Sequence, residues 1–147
     1  MNVNQYFTNI IDLFINDNAE DFYRKIMLSI IDIIESNEVL YVAEYQKEFR
    51  YSVDYWRHYE GTKQGLEECQ KNIHAFFLLN KWSSLSKKNK KDVELNYLYR
   101  LIFLPFDEEN LDRNCDNLYW FVSIVSSYGI SQHQIMGYFE KYFDVIL

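Results

Sequence analysis

Chemistry needs reactive side chains at workable spacings, and this chain offers few. A Cys–His nucleophile pair requires thiol and imidazole within hydrogen-bond reach, usually with a third group to orient them. Cys69 and His74 are five positions apart, so on one helix they point to different faces. The histidines His58, His74 and His133 stand singly, and no HExxH, CxxC or EF-hand spacing occurs, so no metal is expected. Glu67-Glu68 and Glu108-Glu109 are adjacent pairs that splay over a helix surface, and no Glu-x-x-His motif accompanies them. Four ungrouped glycines cannot make a phosphate-cradling loop. The expectation is a protein without catalytic residues and without cofactors.

Two clusters suit binding instead. Asp107, Glu108, Glu109, Asp112 and Asp116 place five carboxylates in ten residues, offset only by Arg113. Asp107, Glu108 and Glu109 suit the first turn of a helix, where the dipole favours acids. Asp112 and Asp116 lie one turn apart beyond that turn and make an acidic face: an ordinary solvated surface, or a dock for a basic partner. Tyr51, Tyr55 and Tyr59 are spaced four apart beside Arg57 and His58. With Phe49, Val53 and Trp56 turned to the core, the tyrosines occupy another face of that helix. They either pack on a neighbouring helix or serve as interface anchors, one end packing and the other hydrogen-bonding. Lys87, Lys88, Lys90 and Lys91 form the one basic run, of the kind that solubilises a loop.

The whole composition bears on partners. With 13 Tyr, 11 Phe and 3 Trp, the chain can build a core and still have rings for its surface. An A/T-rich coding sequence would raise Tyr and Phe too, since their codons share that bias with those of Asn, Ile and Lys. The net charge of -7 disfavours direct nucleic-acid binding and anionic membranes, and favours basic proteins. The first residues, Met1-Asn2-Val3-Asn4-Gln5, lack a basic segment, and no apolar run approaches the roughly 20 residues that span a bilayer. The expected compartment is the cytoplasm. Cys69 and Cys115 fall on apolar stripes and read as free buried thiols, although two cysteines could also form one bridge.

The elements that position these groups read as helices, in one domain over residues 1–147. Val3, Tyr6, Phe7, Ile10, Ile11 and Phe14 recur at helical spacing. Asn18 caps a second helix that buries Phe22, Tyr23, Ile26, Met27, Ile30, Ile31 and Ile34. A third runs from Ser36-Asn37-Glu38 to Gly61, although β-branched and aromatic residues within 39–56 leave room for a short strand. Leu66, Cys69, Ile73, Phe76, Phe77 and Asn80 mark a fourth, and Ser83–Asn89 is a polar connection. A fifth carries Val93, Tyr97, Leu98, Leu101 and Ile102 and ends near Leu104, because Pro105 cannot continue it. Asp107 opens a sixth, with Leu111, Cys115, Leu118, Tyr119, Val122 and Val125 inward and Gly129 as its stop. Ser131-Gln132-His133-Gln134 is a capping box before the last helix, Ile135 to Ile146. The expected fold is all-α, with six or seven packed helices.

A small, acidic, helical chain of this profile resembles the immunity proteins of bacterial toxin systems, those of contact-dependent inhibition and of colicin-type toxins. The resemblance covers the chain as a profile and rests on no motif. It implies a non-enzymatic protein that neutralises a cognate basic toxin domain, often a nuclease, by occluding its active site or substrate-binding face. The carboxylates Asp107–Asp116 would mimic phosphate charge, and Tyr51, Tyr55 and Tyr59 would hold the complex. The alternative is a small phage- or plasmid-borne regulator or adaptor that binds another protein.

Overall fold

The structure is a computed structural model that describes residues 2–16, 18–83 and 90–143. Among them are seven α-helices and no strand: α1 (Val3–Phe14), α2 (Ala19–Ser36), α3 (Gln46–His58), α4 (Lys63–Ser83), α5 (Lys90–Arg100), α6 (Glu108–Ser127) and α7 (Gln132–Phe143). The all-α expectation is met. The helices gather into two compact units. Unit one comprises Met1–Leu40 and Phe106–Leu147; unit two comprises Tyr41–Pro105.

In unit one the apolar spacing and the capping residues act together. Asn18 accepts a hydrogen bond from the Asp21 N–H at 3.0 Å and starts α2 as its side chain predicts. The seven α2 residues expected inside are buried, but so are Leu28, Ser29, Asp32 and Ile33, so α2 is enclosed on every side over that stretch. Asp32 is tolerated there because the Tyr142 hydroxyl donates to its Oδ2 at 2.6 Å, with Lys141 Nζ 3.9 Å away. Around α2 the rings of Phe7, Phe139, Phe143 and Phe22 form a chain of contacts. Centroids lie 4.7 Å apart for Phe7–Phe139, 6.4 Å for Phe139–Phe143 and 5.4 Å for Phe22–Phe143. Such pairs contribute about 0.5–1.5 kcal/mol each beyond their area. The capping box forms as read: Ser131 N–H donates to Gln134 Oε1 at 2.9 Å, and Gln134 N–H to Ser131 Oγ at 3.1 Å.

Unit two corrects the reading of the third segment. Residues 38–45 form neither strand nor α-helix but two 3-10 turns, Glu38–Leu40 at the end of unit one and Ala43–Tyr45 in unit two. Asn37 and Val42 both adopt extended backbone, which breaks helical continuity until Gln46. From there Tyr45, Phe49 and Tyr99 build the core, with Tyr99 centroids 5.2 Å from Tyr45 and 5.8 Å from Phe49. Each polar handle is used: Asn96 Nδ2 donates to the Tyr45 hydroxyl at 3.0 Å, and Trp56 Nε1 to the Ile102 carbonyl at 2.8 Å.

Three inward assignments in unit two also change. On α5, Val93 and Tyr97 are exposed, while Asn96, Leu98 and Tyr99 are buried. The buried side of α5 includes the polar Asn96, whose Nδ2 donates to the Tyr45 hydroxyl at 3.0 Å and to the Ile73 carbonyl at 3.3 Å. On α4, Phe76 is partly exposed and meets Tyr45 edge-on at 5.9 Å. The α5 helix gives way to a 3-10 turn, Leu101–Phe103, just ahead of Pro105. Of the Ser83–Asn89 connection and its lysines, residues 84–89 lie outside the described residues.

Candidate partner-binding surface

The acidic row lies on α6 in unit one and the tyrosine row on α3 in unit two. Asp107 is the N-cap of α6: its carboxylate accepts the Asn110 N–H at 2.7 Å. That carboxylate is engaged in starting the helix. Glu108 and Glu109 occupy the first turn, where the helix dipole stabilises acids. Glu109 also holds Arg113 at 2.8 Å, one turn on, in an exposed pair of the sort that contributes about 0.3–0.5 kcal/mol.

Asp112 and Asp116 need a different account. Both are exposed, and neither belongs to the cap or the first turn. Their field reaches the interior side of α6. The buried Cys115 thiol is pushed up to about 11, first by desolvation and then by the Asp112 and Asp116 carboxylates. A thiol held protonated in this way is a poor nucleophile. Cys69, half-buried on α4, is likewise raised to about 11, by burial first and then by Glu48 and Glu68. Both cysteines are free.

One residue outside the expected site belongs beside Asp112 and Asp116. Trp120 is 61% exposed and follows Asp116 by one helical turn, so Asp112, Asp116 and Trp120 line one face of α6 at intervals of four. Its neighbour Tyr119, expected inside, is 37% exposed and shares a 2.9 Å hydrogen bond with Thr8 of α1. The i, i+4, i+8 spacing was the available signal. The inward set expected for α6 leaves Trp120 out, in keeping with its exposure.

The tyrosine row divides into three different situations. The half-buried Tyr51 lies across the start of α4, and its hydroxyl accepts the Thr62 N–H at 2.9 Å. Tyr55 is half-buried and stands edge-on to Trp56 with centroids 4.8 Å apart. Tyr59 is 76% exposed and ends α3 in the left-handed region at φ 56°, where the Tyr59 and Glu60 N–H groups both reach the Asp54 carbonyl. Equal spacing on a helix does not yield a uniform face here, because the α3–α4 turn folds back over the first tyrosine.

Among the described residues no group of three or more His, Cys, Asp or Glu side chains is placed to hold a metal ion. No helix among them is long and apolar enough to cross a membrane. Comparison with protein-family models, with curated proteins and with solved structures found no match.

Proposed function

We propose that this chain is a cytoplasmic binding protein, without chemistry of its own, that neutralises a cognate basic toxin domain by covering its active site or substrate-binding face. A nuclease is the toxin class that suits it best, because a surface that binds phosphates is basic and presents its charge to an acidic partner. The observation that carries this reading is the exposed α6 face on which Asp112 and Asp116 run into Trp120. Carboxylates speed encounter, and an exposed tryptophan is the side-chain type that anchors interfaces. The net charge of -7 supports the same choice of partner.

The test is co-expression with the product of the adjacent gene. The reading expects a stable complex and loss of that product's toxicity or nuclease activity. Reversing charge with Asp112→Lys and Asp116→Lys should slow association and flatten its salt dependence, because exposed charges act mainly on encounter. A partner that is not toxic, or whose activity survives binding, rejects neutralisation.

A further inference from the structure

Unit one presents a two-helix surface whose chemistry is narrower than a general negative charge. The Thr8–Tyr119 hydrogen bond ties α1 to α6. On α1, Asp12 lies one turn from Thr8 on the same exposed side. On α6, Asp112, Asp116 and Trp120 lie on one side, next to Tyr119. The α6 side of this surface therefore joins the Trp120 and Tyr119 rings to the Asp112 and Asp116 carboxylates, and Arg113 is engaged by Glu109.

We infer that this α1–α6 surface seats an arginine of a basic protein partner, its guanidinium stacked on the Trp120 indole and paired with the Asp116 carboxylate. The inference rests on the neutralisation reading for its class of partner and adds the side chain that is recognised. Neighbours at i and i+4 on a helix stand about 5–6 Å apart at Cβ, a span that one planar guanidinium covers. Stacking occupies its face and leaves the N–H groups at its edge free to reach a carboxylate; a lysine ammonium has no such plane. Phosphate is repelled by the same carboxylates, which excludes nucleic acid as the occupant. A second copy of the chain would bring a further charge of -7 to the face, so self-association is disfavoured.

The full chain is titrated with a fluorescently labelled arginine–glycine repeat peptide and with its lysine–glycine twin of equal length and charge. The arginine peptide should bind roughly two- to fivefold more tightly, the margin of an exposed cation–π contact. Trp120→Ala should abolish that margin, and Trp120→Phe should keep part of it. Asp116→Asn should weaken both peptides and reduce the salt dependence. Leu79→Ala, at a residue 69% exposed on α4 of unit two, is the control and should change neither affinity. Equal binding of the two peptides by the parent, a margin that survives Trp120→Ala, or loss of Trp120 exposure through dimerisation in sedimentation would each overturn the inference. Should the adjacent gene's product be neutralised equally well by Trp120→Ala, the arginine seat fails and neutralisation stands. An arginine margin with no toxin bound supports the seat and rejects neutralisation.

Discussion

The Tyr51 hydroxyl fills the space that a side chain at Gly65 would need. A Cβ built at Gly65 would overlap the Tyr51 ring and hydroxyl, and one at Gly61 would come within 2.6 Å of that hydroxyl. Gly61 is also at φ +86°. Tyr51 is thereby clamped between α3 and the first turn of α4, with its oxygen hydrogen-bonded to Thr62. A residue whose spacing suggests a partner contact instead holds a helix–turn–helix in place.

Gly65→Ala should therefore destabilise unit two by about 1–3 kcal/mol, the range for overfilling a packed site. In a Tyr51→Ala background the same change should cost nothing, and the better helix propensity of alanine could add up to about 1 kcal/mol. A double-mutant cycle in urea checks this. Additive effects would show that the overlap is not what fixes the glycine.

Tyr59 is the one non-glycine residue with positive φ among those described, and it sits where helices commonly end in glycine. Tyr59→Gly should stabilise by up to about 1 kcal/mol, raising Tm by roughly 2–4 °C in a chain of this size. Tyr59→Ala keeps the unfavourable backbone and should give no such gain. Calorimetry on the pair separates backbone strain from loss of the ring.

Two buried tyrosines of unit one should respond in opposite directions when their hydroxyl is removed. Tyr6 is fully buried, and its hydroxyl finds no hydrogen-bond partner among the described residues. Tyr23 is equally buried, but its hydroxyl accepts from Asn114 Nδ2 at 2.9 Å. Tyr6→Phe should be neutral or stabilising by about 1 kcal/mol, whereas Tyr23→Phe should cost about 1–3 kcal/mol by stranding the amide. Chemical denaturation of both variants measures the difference in sign.

Stability should fall in alkali. Burial raises the Cys69 and Cys115 thiols from 9.0 to about 11 and the Tyr99 hydroxyl from 10.0 to about 12. Tyr6 and Tyr23 move in the same direction, chiefly by desolvation. In each case the folded chain keeps a proton that the unfolded chain releases at lower pH. The stabilisation is complete below pH 9 and is lost as the pH climbs from there through 12. Urea midpoints taken across that window should decline steadily, and alkylation of both thiols should be slow in native protein below it.

Local signals carried far in this chain. Asn18, Asp107 and the Ser131–Gln134 pair begin their helices by the hydrogen bonds their side chains predict. The α2 stripe is buried because seven large apolar residues share one face. What was not legible depends on distant partners. Asn96 turns inward because the Tyr45 hydroxyl, far away in sequence, receives it. Asp32 is enclosed because α7 delivers Tyr142 to it. The candidate surface was half legible: composition drew attention to Asp112 and Asp116, whereas the 61% exposure that joins Trp120 to them is a property of the folded chain.

The division into units has a consequence for synthesis on the ribosome. Unit two is one continuous stretch, Tyr41–Pro105, whereas unit one draws on both ends of the chain. Translation therefore delivers all of unit two while α1 and α2 still lack α6 and α7. The enclosed middle of α2, Ile26–Ile34, lacks its α7 neighbour until that helix has been made. A nascent helix that exposes this many large apolar residues is a natural client for a chaperone, and rare codons ahead of α6 would lengthen its wait.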